Sequence, residues 1–286
     1  RSLIDHLQDL TLDVFYVDQT LQFYYLSRAQ CYSNTPSDFD FKLHRTAQAL
    51  NESELIKSLK ACDLIFPVIH GAFGEDGQLQ RLLESHDLPF IGPSASTCEA
   101  MFFKHRAATA MSMLGLPTPI QQVVTQNDDP LTVIDEFYTQ HQLKQLVVKP
   151  NAGGSSLGVH TTNCPKDAAK HAQNLLSTLC DSVLVEPHLT GREFTVIVLQ
   201  SVNGQPVALV PSEITIEHSG HAIFDYRRKY LPTQNTHWYC PARFDAATLS
   251  TITQRAEQLF VHFKCREFVR FDGWVLDDGK IMMTDC

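Results

Sequence analysis

The sequence predicts an α/β protein: an open parallel sheet at the start, followed by two α+β portions. Three observations predict it. Short apolar runs of strand length alternate with helix-like segments over most of the chain, the order expected of sheet-and-helix layers. Two of these runs end directly in glycine-rich loops, at His70-Gly71-Ala72-Phe73-Gly74-Glu75-Asp76-Gly77 and at Lys149-Pro150-Asn151-Ala152-Gly153-Gly154-Ser155-Ser156-Leu157-Gly158, and ligands of open α/β sheets gather at such strand ends. The last third is β-rich, with hairpin signals at Asn203-Gly204 and around Asp277-Asp278-Gly279.

Taken in order, residues 2–10 read as a helix and Leu12–Val17 as a strand. Glu52–Leu59 reads as a short helix, Asp63–Ile69 as an apolar strand, Gln78–Ser85 as a helix and Pro89–Gly92 as a closing strand. Ala95–Leu114 reads as one helix, stopped by Gly115 with Pro117 beyond it. Strands at Ile120–Val124 and Leu146–Lys149 flank a helix at Leu131–Gln140. Pro165 suits the first turn of a helix that Lys166–Leu179 continues, and Val183–Glu186 is a further strand. Phe194–Leu199 and Val207–Ile216 are β, and Ala246–Phe263 is a helix. Phe268–Leu276 and Lys280–Thr284 form the final hairpin. Residues 218–240 have no clean period and are rich in aromatics and charge, the mark of a functional loop. Cuts near 93 and 188 divide the chain into 1–92, 93–187 and 188–286; neither has a Pro/Gly/Ser-rich linker, so close packing is expected.

The totals narrow the function. The 286 residues, 43% hydrophobic and 19% charged, have an ordinary globular composition. A net charge of −9 argues against nucleic acid as a partner. No apolar run approaches the roughly 18 residues of a membrane-spanning helix. The chain opens Arg1-Ser2-Leu3, with neither Met nor a signal segment. Eight cysteines without a C-x-x-C pair read as free buried thiols in a reducing cytosol, and 13 dispersed histidines give no His/Cys metal site.

Lys149 ends the apolar run Gln145–Val148, and the glycines and serines follow at once. Glycines let backbone N–H groups approach an anion, Ser155 and Ser156 add donors, and Lys149 adds charge. This is a phosphate cradle, though not the Walker pattern; a Gly/Ser loop without other support is commonly a plain turn. His70 suits a negatively charged ligand, while Asp76 suits a helix cap. Lys104, read as lying inside a helix, and Lys229 would each ordinarily be solvated. Glu186 and Glu193 sit where carboxylates meet ribose hydroxyls, or where glutamates are merely wet. Arg270 and Asp272 alternate with Phe271 and so share one strand face, with Asp285 on the partner strand. Two such carboxylates suit Mg²⁺ bound with polyphosphate. The plainer alternative is a surface ion pair between Arg270 and Asp272.

Together and in this order, these pieces resemble the ATP-grasp superfamily and, within it, the D-alanine–D-alanine ligases. The resemblance runs from Phe66-Pro67-Val68-Ile69-His70-Gly71 through Lys104, Lys149-Pro150 and Gly154–Gly158 to Val183–Glu186 with Gly191-Arg192-Glu193-Phe194-Thr195. It continues with Pro211-Ser212-Glu213, Phe224-Asp225-Tyr226, Lys229-Tyr230, Cys240-Pro241-Ala242 and Arg270-Phe271-Asp272. It implies an ATP-grasp fold and ATP as co-substrate. Lys104, Lys149 and Lys229 would hold its phosphates with Gly154 and Ser156, and Glu186, Leu189 and Glu193 would line the adenosine site. Asp272 and Asp285 would bind Mg²⁺ or Mn²⁺. Arg270 would stabilise developing negative charge, His70 would assist at the substrate carboxylate, and Ser155 and Tyr230 would orient substrates. The reaction implied is activation of one D-alanine as an acyl phosphate and attack by a second, for peptidoglycan precursors, in a cytoplasmic homodimer. Tyr230 implies D-alanine rather than D-lactate as the second substrate.

The chain departs from the family pattern in places. The family's first strand and glycine-rich turn, with a glutamate for the substrate ammonium, would precede Arg1. An asparagine metal ligand would follow Cys286. The resemblance therefore implies a piece of a longer ligase, with little turnover by itself; the alternatives are a non-catalytic nucleotide-binding protein of the same fold and an ATP-grasp ligase of other amino-acid specificity. Asp285 stands where glutamate is usual, and Pro187 follows Glu186 where a backbone donor is usual.

Overall fold

A computed structural model describes residues 2–33, 35–154, 157–216 and 236–285. The chain falls into two compact units, 1–66 with 83–91 and 67–82 with 92–286.

The first unit opens with α1 (Ser2–His6), shorter than the segment 2–10 read from sequence. Three strands follow, β1 (Val14–Val17), β2 (Phe23–Leu26) and β3 (Gln48–Leu50), and they form an antiparallel sheet in the order β1-β2-β3. The expected parallel sheet is confined to one bridge, Ile65 with Phe90. Two causes are visible. Asp18 Oδ1 accepts from the Thr20 and Gln22 amides and closes a tight turn, which sends β2 back along β1. Pro67 and Pro89 lack the donors that a longer ladder through 63–69 and 89–92 would need. Tyr24, Leu26 and Leu43 form a small core against α2 (Pro36–Thr46). The helix α3 (Glu52–Leu59) is held by an Asn51/Glu54 capping box and buries Leu55, Ile56 and Leu59.

In the second unit, α4 (Gln78–Ser85) begins after Asp76, whose Oδ1 accepts from the Gln78 amide at 2.9 Å, the capping role read from sequence. The single helix expected over Ala95–Leu114 is two, α5 (Ala95–Phe102) and α6 (Lys104–Met113). Phe103 between them is extended and bridges Ala152.

A four-stranded antiparallel sheet has the order β4-β7-β5-β6, with β4 (Gln122–Thr125), β5 (Leu146–Pro150), β6 (His160–Thr162) and β7 (Ser182–Pro187). The helices α7 (Pro130–Gln140) and α8 (Pro165–Thr178) cover one face, burying Ile134, Phe137, Val148, Ala168, Ala172, Val183 and Val185. The alternation of β5 puts Leu146 and Val148 into that core and leaves Lys149 on the other face.

A second antiparallel sheet has the order β11-β10-β8-β12-β13. Its strands are β8 (Gly191–Gln200), β10 (Ser212–Ile216), β11 (Thr236–Tyr239), β12 (Phe268–Leu276) and β13 (Ile281–Asp285), and β9 (Pro206–Ala208) pairs with the far end of β8. Pro211 interrupts the one strand expected over Val207–Ile216. The helix α9 (Ala246–His262), capped by Asp245, packs on the inner face through Ile252, Ala256, Leu259 and Phe260 against Phe194, Val196, Phe271 and Met283.

Of the seven described cysteines, expected as buried thiols, only Cys98 and Cys265 are buried.

Candidate active site

Lys149 stands opposite Leu184 on β7, which makes Glu186 its diagonal neighbour on the same face. Their side chains meet, Nζ to Oε2, at 2.7 Å, with only 12% and 7% of each exposed. The other Glu186 oxygen accepts from Gln121 Nε2 at 2.7 Å. Burial pulls the Lys149 ammonium down, but Glu186 and then Asp285, with Glu193 adding, outweigh it and push it up to about 12. Lys149 is therefore a fixed cation, and carboxylates of both sheets act on it.

Lys104 is the first residue of α6 rather than an interior one. The Lys104 amide donates to Asn151 O at 2.9 Å, and Nζ lies 2.8 Å from Asp285 Oδ1. Phe103 has no glycine or proline signal, so only the pairing of 103 with 152 reveals the break. Its effect is to place Lys104 where the helix N-terminus adds positive potential.

On the second sheet, Asp272 faces Thr195 on one side and Asp285 on the other. Thr195 Oγ1 donates to Asp272 Oδ1 at 2.7 Å, and Arg270 donates through Nε at 3.0 Å and Nη2 at 2.9 Å. The plainer reading of Arg270 and Asp272 is thus their geometry here: a bidentate ion pair, with Arg270 63% exposed. The ladder slips between Asp272 and Gly273, where a Cβ would meet Met282 O at 2.4 Å and the Phe194 ring at 2.5 Å. Only glycine fits there, and the bulge sets the aim of Asp272.

The structure brings Lys104, Lys149, Glu186, Glu193, Asp272, Asp285 and Arg270 into one linked set of charges. Leu189 is half-buried in the link between β7 and β8, and Gly154 lies in the loop after β5. His70 is on an exposed loop with Nδ1 3.6 Å from Glu75 Oε1. Ser155, Ser156, Lys229 and Tyr230 lie outside the described residues. Sequence reading missed Gln121 and Thr195. Thr195 stands opposite Asp272 in strand register, and Gln121 lies just before β4, whose Gln122 pairs with Val185 beside Glu186.

One more buried carboxylate belongs to this unit. Glu213, fully buried, accepts from the Arg243 amide at 2.9 Å and from Arg243 Nη2 at 2.9 Å, and lies 3.5 Å from Arg192 Nη1. Burial raises its carboxyl, but the Arg243 hydrogen bonds and both guanidinium charges hold it below the usual glutamate value.

Two antiparallel sheets carrying lysines and carboxylates into one site have the architecture of the ATP-grasp ligases. The D-alanine–D-alanine ligase from Coxiella burnetii shares the fold at a TM-score of 0.78 and 21% identity, over 99% of this chain and 77% of that one. The VanG D-Ala:D-Ser ligase from Enterococcus faecalis does so at 0.77 and 22%, over 99% and 82%. The family model for the D-ala D-ala ligase N-terminus matches residues 1–93, and that for the C-terminus matches 110–286. This chain belongs to the D-alanine–D-alanine ligase family. Relatives include the D-alanine–D-alanine ligases of Rhodococcus jostii (strain RHA1), 34% identical over 241 residues, and Rhodococcus opacus (strain B4), 32% over 240. The match covers 82% of this chain but 63% of each of those.

Proposed function

We propose that the protein to which this chain belongs joins two D-alanines with ATP, by way of an acyl phosphate, in the synthesis of peptidoglycan precursors. The observation that carries this is the charge set itself. Two lysines from different elements, Lys104 and Lys149, are each held by a carboxylate, with Asp285 acting on both. Phosphoryl transfer needs mainly positioning and charge neutralisation, which this set supplies.

In this reading Lys104 and Lys149 bind ATP phosphates, with Gly154, Ser156 and Lys229 beside them. Glu186, Leu189 and Glu193 line the adenosine site. Asp272 and Asp285, in register across β12 and β13, fit Mg²⁺ or Mn²⁺, because such ions take one or two carboxylates together with phosphate oxygens. The metal would supply charge neutralisation at those oxygens. Arg270, 63% exposed, would turn from Asp272 towards the charge that develops on the substrate. His70, Ser155 and Tyr230 orient the amino acids.

The division 1–92, 93–187 and 188–286 belongs to this proposal, supported by two separate sheets within 122–187 and 191–285. In this reading the complete protein is a cytoplasmic homodimer, as the family resemblance suggests. No helix among the described residues is long and apolar enough to cross a membrane.

ADP release with ATP, Mg²⁺ and D-alanine tests the reading, on this chain and on the gene product from its own start to its own stop. D-alanine-dependent release, absent with L-alanine and weaker with D-lactate as second substrate, is expected of the latter. Its silence would end the proposal.

A further inference from the structure

We propose that Asn151, the residue that follows β5, is a positioning residue that caps α6 and so sets Lys104 against Lys149. This rests on the reading of both lysines as phosphate ligands. The helix α6 starts without a cap of its own, since Phe103 at its N-cap makes no side-chain hydrogen bond. Its first two amides are satisfied by Asn151 instead. Lys104 N donates to Asn151 O at 2.9 Å, and His105 N donates to Asn151 Oδ1 at 3.2 Å. Asparagine is among the best N-cap residues because its oxygen accepts such amides; here it acts from 46 residues away.

The remaining bonds lock its orientation. A backbone amide can only donate, so the atom facing His105 N is the amide oxygen. That oxygen also meets His105 Nδ1 at 3.0 Å, which puts the ring proton on Nδ1. Asn151 Nδ2 then points to Ser182 Oγ at 3.0 Å, and Asn151 N donates to Ser182 O at 3.1 Å. Asn151 is 1% exposed, so every one of these groups needs its partner. One side chain two residues beyond Lys149 thereby ties the start of α6 to the start of β7. Lys104 is placed by this clamp rather than by its own helix.

The test is calorimetric titration of the whole chain with MgATP and, separately, with adenosine, which carries no phosphate for the lysines. Asn151→Ala is expected to weaken ATP about tenfold, the change that corresponds to losing a buried hydrogen-bonded set, and to leave adenosine affinity unchanged. Most of that loss is expected to vanish on a Lys104→Ala background. Ser182→Ala, which removes only the Nδ2 partner, is expected to show a smaller loss with the same selectivity, and it decides the question if Asn151→Ala does not fold. Unchanged ATP affinity in the folded variants overturns the inference, and so does a loss of adenosine affinity in step with ATP. An unmodified chain that binds no ATP would instead overturn the proposed function.

Discussion

Two ion pairs of the site, Lys149–Glu186 and Arg270–Asp272, differ in what surrounds them. Lys149–Glu186 lies between strands with both side chains buried, and Glu186 is held again by Gln121. Arg270–Asp272 lies on one strand with its arginine 63% exposed, and the aspartate also accepts from Thr195. A buried pair cannot lose one member cheaply, because the other charge stays behind without water. An exposed pair costs little to open. The first therefore reads as fixed framework, and the second as a contact free to exchange when substrate charge arrives.

The largest effect should come from breaking the buried pair. Lys149→Met leaves Glu186 uncompensated and is expected to cost on the order of 3–5 kcal/mol in denaturant unfolding. The double variant with Glu186→Gln should recover much of it, and no recovery would mean that Gln121 and the strands, not Lys149, hold the glutamate. Gly273→Ala comes next, at roughly 1–3 kcal/mol, because its methyl would overlap Met282 O and the Phe194 ring. Arg270→Ala should change stability by about 0–1 kcal/mol, the range for an exposed pair. In the complete ligase it should nevertheless lower turnover about a hundredfold or more, as expected when a donor to developing charge is lost. A stability loss as large as that of Lys149→Met would erase the contrast.

Acid and alkali should separate the Lys149 pair from one more carboxylate–cation set, Glu213 with Arg243 and Arg192. The Glu213 carboxyl is held low in the folded chain, so its contribution is present above the ordinary glutamate value of about 4.3 and is lost as pH falls below it. Glu213→Gln should lower stability at neutral pH and flatten its dependence in that acid window. Lys149 is held high, so its contribution is full below the ordinary lysine value of about 10.4 and is lost as pH rises towards 12. Unfolding followed against pH would show both edges, and the alkaline one should be missing in Lys149→Met.

Much of this site could be read before any fold was known, and particular residues show why. Lys149 ends an apolar run and opens a glycine loop, and Arg270, Asp272 and Asp285 fall on the two strands of a hairpin with a clear turn. Periodicity and turn chemistry are local, so they survive in sequence. The α3, α4, α7, α8 and α9 helices were legible for the same reason, each with its apolar spacing or its cap. What failed was set by distant partners. The break at Phe103, the antiparallel pairing of β1 to β3 and the short bridge at Ile65 depend on which backbone groups meet, and propensity carries no record of that.

The sequence by itself determined the class of layers, the candidate lysines and carboxylates, and the family. Tertiary structure decided that Lys104 begins a helix, that Glu186 sits diagonally beside Lys149, and that Asn151 caps a helix from the loop after β5. The physical reason is reach. Side-chain period and turn residues act over a few positions, whereas hydrogen-bond satisfaction and charge pairing in a buried site are settled only when strands far apart in the chain come into register.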